Sequence, residues 1–218
     1  HYTPADVDRF AVVSGPGGFT GLRVGIATIQ GLALVGHRQV FAASTLLLLA
    51  VAARQAAASS AGQPPLVGAW MHATRGEVFT ALYRPFDSTH PSTALGATLS
   101  LSPLDATIMA RVGLVAIEDA SVGAPGEVAA RWRSVAPSSA RLFLMGDATG
   151  ELAEPLRQQF GDAVELQAPP ALAGVLATLA AALPDLAVPP HAIVPTYVRR
   201  PDAELARDRM TSLPGSRA

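Results

Sequence analysis

A glycine-rich segment between a short apolar run and a long helical pattern constrains the fold of this chain most. Residues 15–21 read Gly-Pro-Gly-Gly-Phe-Thr-Gly and follow the apolar residues 10–14, which predict a buried strand. The next pattern predicts a helix over residues 22–36, with Thr20 as its N-cap and Gly36 as its stop. A strand, a tight turn and a helix in this order are typical of an α/β fold.

The alternation of strand and helix continues along the first quarter of the chain. We predict a second strand over residues 40–43 and an alanine- and leucine-rich helix over residues 45–58, and we expect the strands to be parallel. The turn-rich residues 59–65 predict a domain boundary. We therefore expect an N-terminal α/β lobe over residues 1–62, a second α/β lobe over residues 63–190 and a tail over residues 191–218 that packs back or is partly disordered.

The second part of the chain begins with a hairpin pattern, residues 66–73 and 78–83, joined around Arg75 and Gly76. A serine followed by proline predicts that a helix begins just after Ser102. The remaining predicted elements are helices over residues 103–111, 127–134, 150–160 and 171–183 and a strand over residues 142–145.

The composition excludes several kinds of chemistry. The chain of 218 residues contains no cysteine and no lysine, which excludes thiol catalysis, disulfides, Schiff-base lysines and a phosphate-loop lysine. The net charge of −1 predicts no strong nucleic-acid binding by the chain alone. The apolar stretches are too interrupted to span a bilayer, and no secretory signal is evident, so we expect a cytoplasmic protein.

Two interpretations of the glycine turn stay open on the residues alone. Backbone N–H groups at a helix N-terminus are suited to hold an anion, and the candidates here are Gly15, Gly17, Gly18, Thr20 and Gly21. The segment matches neither the phosphate loop of nucleotide hydrolases nor the dinucleotide fingerprint. Alternatively, the glycines supply positive φ values for a tight turn.

Other polar residues give weaker signals. The five histidines are scattered in sequence and predict no metal site. Asp147 follows a predicted strand, where it either lies at a cleft or caps a turn. Arg199, Arg200 and Asp202 predict either an intermolecular contact, as an ion pair or with a nucleic acid, or simply a solvated charged segment.

The chain resembles a known family over nearly its whole length. Residues 12–25, Val-Val-Ser-Gly-Pro-Gly-Gly-Phe-Thr-Gly-Leu-Arg-Val-Gly, with Gly-Leu-Ala at 31–33, are similar to the signature of the TsaB (YeaZ) family, which usually reads Gly-Pro-Gly-Ser-Phe-Thr-Gly-Leu-Arg. Later segments resemble the family in order and spacing: residues 43–46, the hairpin at 73–83, Gly-Asp-Ala at 146–148 and Pro-Thr-Tyr-Val-Arg at 195–199.

The resemblance implies the two-lobed α/β fold of the actin, sugar-kinase and chaperone-ATPase superfamily. It also implies a non-catalytic scaffold that pairs with the catalytic subunit TsaD, which transfers threonylcarbamoyl to the adenosine beside the tRNA anticodon. A small ATPase, TsaE, joins that complex. On this basis we expect no catalytic residues, no metal and no cofactor in this chain, contact with tRNA only through the complex, and no membrane.

The helix after the glycine turn is the predicted partner interface. Its small residues permit close helix–helix contact, and the resemblance places it on the surface that faces TsaD. The predicted interface residues are Phe19, Thr20, Arg23, Ile26, Ala27 and Gln30. A cation in the first helical turn opposes the helix dipole, so we expect Arg23 to have a partner, such as a carboxylate or a backbone carbonyl.

Departures from the family pattern leave alternatives open. His72 stands where the family usually has aspartate, Thr74 where it usually has arginine, and Gly18 where it has serine. The chain also starts after the family's first strands and helix, so we expect an incomplete N-terminal lobe, from truncation or from a misassigned gene start. The alternative functions are an active small-molecule kinase or ATPase of the same fold, and a homodimeric binding module.

Overall fold

The computed structural model describes residues 3, 6–58, 64–86 and 102–199. Most of the predicted domain boundary at residues 59–65, and Arg200 and Asp202 of the tail, therefore lie outside the described residues. The division into two lobes and a tail stays a prediction.

The glycine-rich segment connects a small parallel sheet to its first helix. Strand β1 (Phe10–Val13) pairs in parallel with β2 (Val40–Ala43), with Phe10 opposite Val40. Helix α1 (Phe19–Val35) connects these strands, and α2 (Thr45–Ala57) follows β2. The predicted strand–helix–strand–helix order and the parallel pairing are confirmed.

A mixed sheet of five strands forms the larger part of the described chain. Its strands are β3 (Leu66–His72), β4 (Val78–Pro85), β5 (Leu114–Gly123), β6 (Leu142–Met145) and β7 (Val164–Gln167), in the spatial order β5-β4-β3-β6-β7. The pairs β3–β4 and β4–β5 are antiparallel, whereas β3–β6 and β6–β7 are parallel. The connecting helices are α3 (Pro103–Arg111), α4 (Pro125–Val135), α5 (Glu154–Phe160) and α6 (Leu172–Ala182).

The five-stranded sheet has a hydrophobic core on each face. Alternate residues of a strand point to opposite faces: in β6, Phe143 and Met145 join the core with α2, α3 and α6, whereas Leu142 and Leu144 join the core with α4 and α5. All four leucines at 46–49 of α2 are buried. Helix α2 is apolar on nearly all sides because it lies in the interior of the protein.

A third core supports α1. On its inner side Leu22, Ile26 and Ala33 pack against Val12 and Val40 of the small sheet. Ile193, near the C-terminal end of the described chain, completes this core. One side of α1 is thereby fixed to the small sheet, and the opposite side remains at the surface.

Two predictions about the ends of α1 have different outcomes. The predicted N-cap, Thr20, is wrong: α1 begins at Phe19, and Gly18 occupies the N-cap position without a side-chain cap. The predicted stop at Gly36 is confirmed. In the second part of the chain, strands β5 and β7 were not predicted, and the helix over residues 150–160 is a short 3-10 turn followed by α5.

The last described residues, 187–199, form a segment that we call the C-terminal strap. Val188 pairs with Val40 through two backbone hydrogen bonds of 2.9 Å. The side chain of Gln30 in α1 donates to the carbonyl oxygens of Pro190 and Ile193 at 2.9 and 3.0 Å. The strap therefore runs along β2 and α1 before it reaches the β3–β4 hairpin.

Among the described residues, none of the helices combines the length and the hydropathy that a membrane span needs.

Candidate functional site

The glycine turn is anchored at its first residues. The N–H of Ser14 donates to the carbonyl oxygen of Ala43 at 2.9 Å, and the carbonyl oxygen of Gly15 accepts from the N–H of Thr45 at 2.7 Å. Gly15 is buried and has a φ of 114°, a value that side chains rarely allow. The interpretation of the turn as one that needs a positive φ is confirmed for this glycine.

The later glycines of the turn differ from Gly15. Gly17, Gly18 and Gly21 are exposed and do not have positive φ values. A Cβ atom added at any of the three meets no other atom within 4 Å. Neither backbone conformation nor internal packing therefore requires glycine at these three positions.

A pocket opens beside the turn. Its volume is about 760 Å³, and it lies between the glycine turn, the start of α1, the β3–β4 hairpin and the strap. The polar side chains of its lining come from α1, the β3–β4 hairpin, the loop after β6 and the strap: Arg23, His72, Thr74, Asp147, Thr196, Tyr197 and Arg199. Leu22, Met71, Phe79 and Val198 supply apolar surface.

Arg23 contacts two aromatic side chains at the edge of the pocket. Its guanidinium carbon is 3.8 Å from the ring centroid of Phe19, and its Nε donates to the hydroxyl oxygen of Tyr197 at 2.7 Å. The predicted carboxylate or carbonyl partner of Arg23 is wrong, because a phenol and a ring face supply the contact. Arg23 is the fifth residue of α1, beyond the first turn, where the opposition of the dipole is weaker.

Arg199 connects the strap to the β3–β4 hairpin. Its guanidinium donates to the hydroxyl and carbonyl oxygens of Thr74, at 2.5 and 3.1 Å, and pairs with the carboxylate of Glu77. Arg75 at the tip of this hairpin has a φ of 69°, so the predicted turn around Arg75 and Gly76 is confirmed. Within the chain these partners occupy the Arg199 side chain, and an intermolecular contact of Arg199 stays a prediction.

Asp147 lines the pocket and also has an internal role. Its Oδ1 accepts a hydrogen bond from the backbone N–H of His72 at 2.7 Å. The bond connects the end of β3 to the loop after β6. Of the two sequence interpretations, cleft residue and turn residue, the structure shows features of both.

Two titratable side chains are buried away from the pocket. Asp105 accepts from the backbone N–H of Ser44 at 3.0 Å, and burial raises its pKa. Burial likewise raises the pKa of Tyr83. Within the part of the chain that the structure describes, no group of three or more His, Asp and Glu side chains is arranged to hold a metal ion.

Comparisons with known proteins connect this architecture to one group. The TsaD family, tRNA N6-adenosine threonylcarbamoyltransferase, matches residues 1–105. Among solved structures, YeaZ from Pseudomonas aeruginosa matches with 25% identity and a TM-score of 0.59, covering 89% of this chain and 76% of that one. No curated protein matches the sequence significantly.

A second solved structure agrees. It is an uncharacterized protein with similarity to peptidase YEAZ from Pseudomonas aeruginosa, with 26% identity, a TM-score of 0.55 and coverage of 90% of this chain and 76% of that one. The chain is a TsaB/YeaZ-like protein. The predicted resemblance and the predicted actin-like α/β fold are thereby confirmed, and the matches support a role in tRNA modification.

The predicted interface residues of this TsaB/YeaZ-like chain do not all lie on one face of α1. Phe19, Thr20, Arg23 and Ala27 are exposed, and Gln30 is half-buried beneath the strap. Ile26 is only 3% exposed and belongs to the core of the small sheet. Ile26 is therefore removed from the candidate interface, because its side chain faces inward.

Three exposed apolar residues of α1 are not among the interface residues that the sequence predicted. Val24, Leu34 and Val35 have exposed fractions of 60%, 57% and 85%. Helical spacing in the sequence could have identified Val24, because residues three or four apart lie on the same face of a helix. Val24 lies three residues before Ala27 and four after Thr20, which are both exposed.

Proposed function

We propose that the chain is a non-catalytic scaffold and activator subunit of the tRNA N6-threonylcarbamoyladenosine modification complex. It binds the catalytic TsaD subunit through the exposed face of α1. The TsaD-family match and the likeness to YeaZ support this choice of system. The ATPase TsaE is the further protein component, and tRNA is contacted through the complex.

The exposed apolar surface of α1 is the observation that carries the proposal. Val24, Leu34 and Val35 are largely exposed on a helix whose other side is packed into a core. Burial of apolar surface stabilises association by about 25 cal/mol per Å² before the costs of binding. A complex in which a protein partner covers this face of α1 is stabilised by that burial.

Glycines on the same helix support close contact with a partner. Gly21, Gly25 and Gly31 lie inside α1, where glycine costs about 1 kcal/mol relative to alanine. A Cβ added at any of them meets no neighbouring atom, so packing within the chain does not explain them. Small residues on an exposed helix let another backbone approach closely.

We assign the chemistry to the partner because the pocket is poor in catalytic groups. Asp147 is the single carboxylate among the described residues of the lining, and it accepts a hydrogen bond from the His72 backbone. The chain has neither lysine nor cysteine to act as a nucleophile. These features favour a scaffold over a kinase or ATPase.

The decisive experiment is co-purification with the TsaD subunit of the same organism. We expect a stable complex with the wild-type chain and its loss in Val24→Glu. The matched control is Val135→Glu, which places the same charge at an exposed valine of α4 and should leave the complex intact. Thermal melts of both variants check that the fold is kept.

The outcome also separates the two rival functions. If the chain forms only a homodimer and no complex with TsaD, it is a homodimeric binding module. If the isolated chain hydrolyses ATP in the presence of Mg²⁺ or transfers its phosphate to a small molecule, the scaffold proposal fails.

A further inference from the structure

The strap adds exposed apolar surface beside α1. Val194 and Tyr197 have exposed fractions of 68% and 44%. Ile193, the residue before Val194, is buried in the core under α1, and its carbonyl oxygen accepts a hydrogen bond from Gln30. The strap is therefore fixed to α1 at Ile193, and the next side chain along the strap is held at the protein surface.

The strap runs alongside one side of α1, in the direction opposite to the helix. Near the end of the strap, the ring centroid of Tyr197 lies 5.8 Å from that of Phe19, and the Tyr197 hydroxyl oxygen accepts from Nε of Arg23. Nearer its beginning, Ile193 is bonded to Gln30. Phe19, Arg23 and Gln30 are spaced by four and seven residues, which places them on one side of the helix. The strap and this side of α1 therefore meet along about three helical turns.

Large apolar side chains are exposed on both elements where they meet. On α1 these are Phe19 and Leu34, and Leu34 lies four residues after Gln30, next to it on the helix surface. On the strap they are Val194 and Tyr197. An exposed apolar patch shared by two elements is typical of a protein–protein contact, whereas single exposed apolar residues are ordinary. The exposed apolar surface of α1 therefore continues onto the strap.

The surface formed by α1 and the strap contains no negatively charged side chain. Residues 14–37 and 187–199 include neither aspartate nor glutamate. Arg23 is exposed there, and its Nε is bonded to Tyr197, while its terminal nitrogens make no hydrogen bond to any residue that the structure describes. The ring of Phe19, whose centroid is 3.8 Å from the guanidinium carbon, holds this planar group in place. A guanidinium held in this way is suited to pair with a carboxylate of a partner protein.

We propose that α1 and the strap together form one docking surface, and that TsaD covers it with an apolar surface that carries a carboxylate opposite Arg23. The inference rests on the proposed function and deepens it. It assigns Val194 and Tyr197 of the strap to the contact with TsaD, and it assigns the charge of Arg23 to the recognition of that partner.

A variant of the strap tests its part in the docking surface. Val194→Glu puts a charge on a side chain that is exposed in the free chain, so the melting temperature of the variant should be unchanged. In calorimetric titration of the full chain with the TsaD subunit of the same organism, the affinity should fall about tenfold or more, because the contact buries an unpaired charge. Val135→Glu, with the same charge at an exposed valine of α4, is the matched control and should bind as wild type.

The outcomes separate this inference from the proposed function. Loss of affinity in both Val194→Glu and Val24→Glu supports a docking surface formed by both elements. Wild-type affinity in Val194→Glu, with loss in Val24→Glu, would confine the contact to α1 and overturn the inference, while the scaffold function stands. Absence of TsaD binding by the wild-type chain would overturn both.

The dependence of association on ionic strength tests the charge of Arg23. We expect the association rate constant of Arg23→Met with TsaD to be about fivefold below wild type at low salt, and the difference to shrink at about 0.5 M salt, where charges are screened. Arg23→Lys keeps the charge and should associate at nearly the wild-type rate. Arg157→Met removes the same charge from the exposed surface of α5 and should associate as wild type. An equal loss in Arg157→Met, or wild-type salt dependence in Arg23→Met, would overturn the assigned carboxylate.

Discussion

The carbonyl oxygen of Thr196 lies 2.6 Å from the position that a Cβ of Gly15 would occupy. The N–H of the same threonine donates to the carbonyl oxygen of Ser14 at 2.6 Å. The strap and the glycine turn are therefore in direct backbone contact, and the contact leaves no space for a side chain. We expect Gly15→Ala to destabilise the protein by about 2–4 kcal/mol, from the φ of 114° and the steric clash.

Urea unfolding measures this effect, with Gly17→Ala as the control. Gly17 has open space around its Cβ position, so its substitution should change the free energy of unfolding by no more than about 0.5 kcal/mol. A similar loss in both variants would show that the crowding at Thr196 is not the cause.

The two tryptophans should respond differently to replacement by phenylalanine. Trp70 and Trp132 are fully buried and pack edge to face with centroids 5.4 Å apart. The indole N–H of Trp70 donates to the carbonyl oxygen of Leu152 at 3.0 Å, whereas that of Trp132 has no partner among the described residues. Both variants lose packing, but Trp70→Phe also loses a hydrogen bond. We expect it to be less stable than Trp132→Phe by about 1 kcal/mol.

Chemical denaturation of the two variants under identical conditions gives this difference directly. Equal stability, or greater loss in Trp132→Phe, would mean that the hydrogen bond to Leu152 contributes nothing measurable.

Asp105 should make stability depend on pH. Its side chain is buried and accepts from the N–H of Ser44, the N-cap of α2. Burial raises its folded pKa above the usual 3.8. The contribution of Asp105 to the free energy of unfolding is therefore fully present below about pH 3.8. It is lost as the pH rises through the folded pKa. Asparagine keeps the acceptor oxygen but does not titrate.

We therefore expect the stability of Asp105→Asn relative to wild type to increase as the pH rises from about 4 to about 7. Unfolding curves at several pH values in this interval measure the trend. A difference that is constant or that falls with pH would show that the hydrogen bonds from Ser44 and Ser102 outweigh the effect of burial.

Arg199 should govern local opening of the strap rather than global stability. It joins the strap to Thr74 and Glu77 with both side chains of the ion pair partly exposed, so we expect its removal to cost about 1 kcal/mol locally. In Arg199→Ala the amide hydrogen of Thr196 should exchange about fivefold faster. Hydrogen exchange measured residue by residue tests this.

Arg157→Ala is the comparison variant for the strap. Arg157 pairs with Glu154 at 3.9 Å on the exposed surface of α5, and loss of such a pair changes little. The Thr196 amide should exchange at the wild-type rate in this variant. An unchanged rate in Arg199→Ala as well would mean that the backbone bond to Ser14 alone holds the strap.

Strand β5 shows why sequence patterns missed part of the fold. Its residues 114–123 include Glu118 and Asp119, which interrupt the apolar alternation of an ordinary strand. In the structure Glu118 accepts two hydrogen bonds of 2.7 Å from Arg131 of α4. A charge in this strand is tolerated because a distant cation neutralises it, and local sequence does not contain that information.

The candidate pocket was predicted only in part for a similar reason. The glycine turn and Asp147 were recognised from strand–turn patterns, since each follows a short apolar run. Tyr197 and Arg199 were not connected to the turn, because they lie more than 170 residues after it in sequence. Their position depends on the path of the strap across α1.

The sequence by itself determined the strand–turn–helix at the start, the buried α2 and the family resemblance, because these depend on local conformational preference and short-range periodicity. Only the tertiary structure decided which glycines are required. Gly15 is confined by Thr196 from the other end of the chain, whereas Gly17 and Gly18 face open space. Steric crowding is a property of three-dimensional neighbours, and residues distant in sequence become neighbours only when the chain folds.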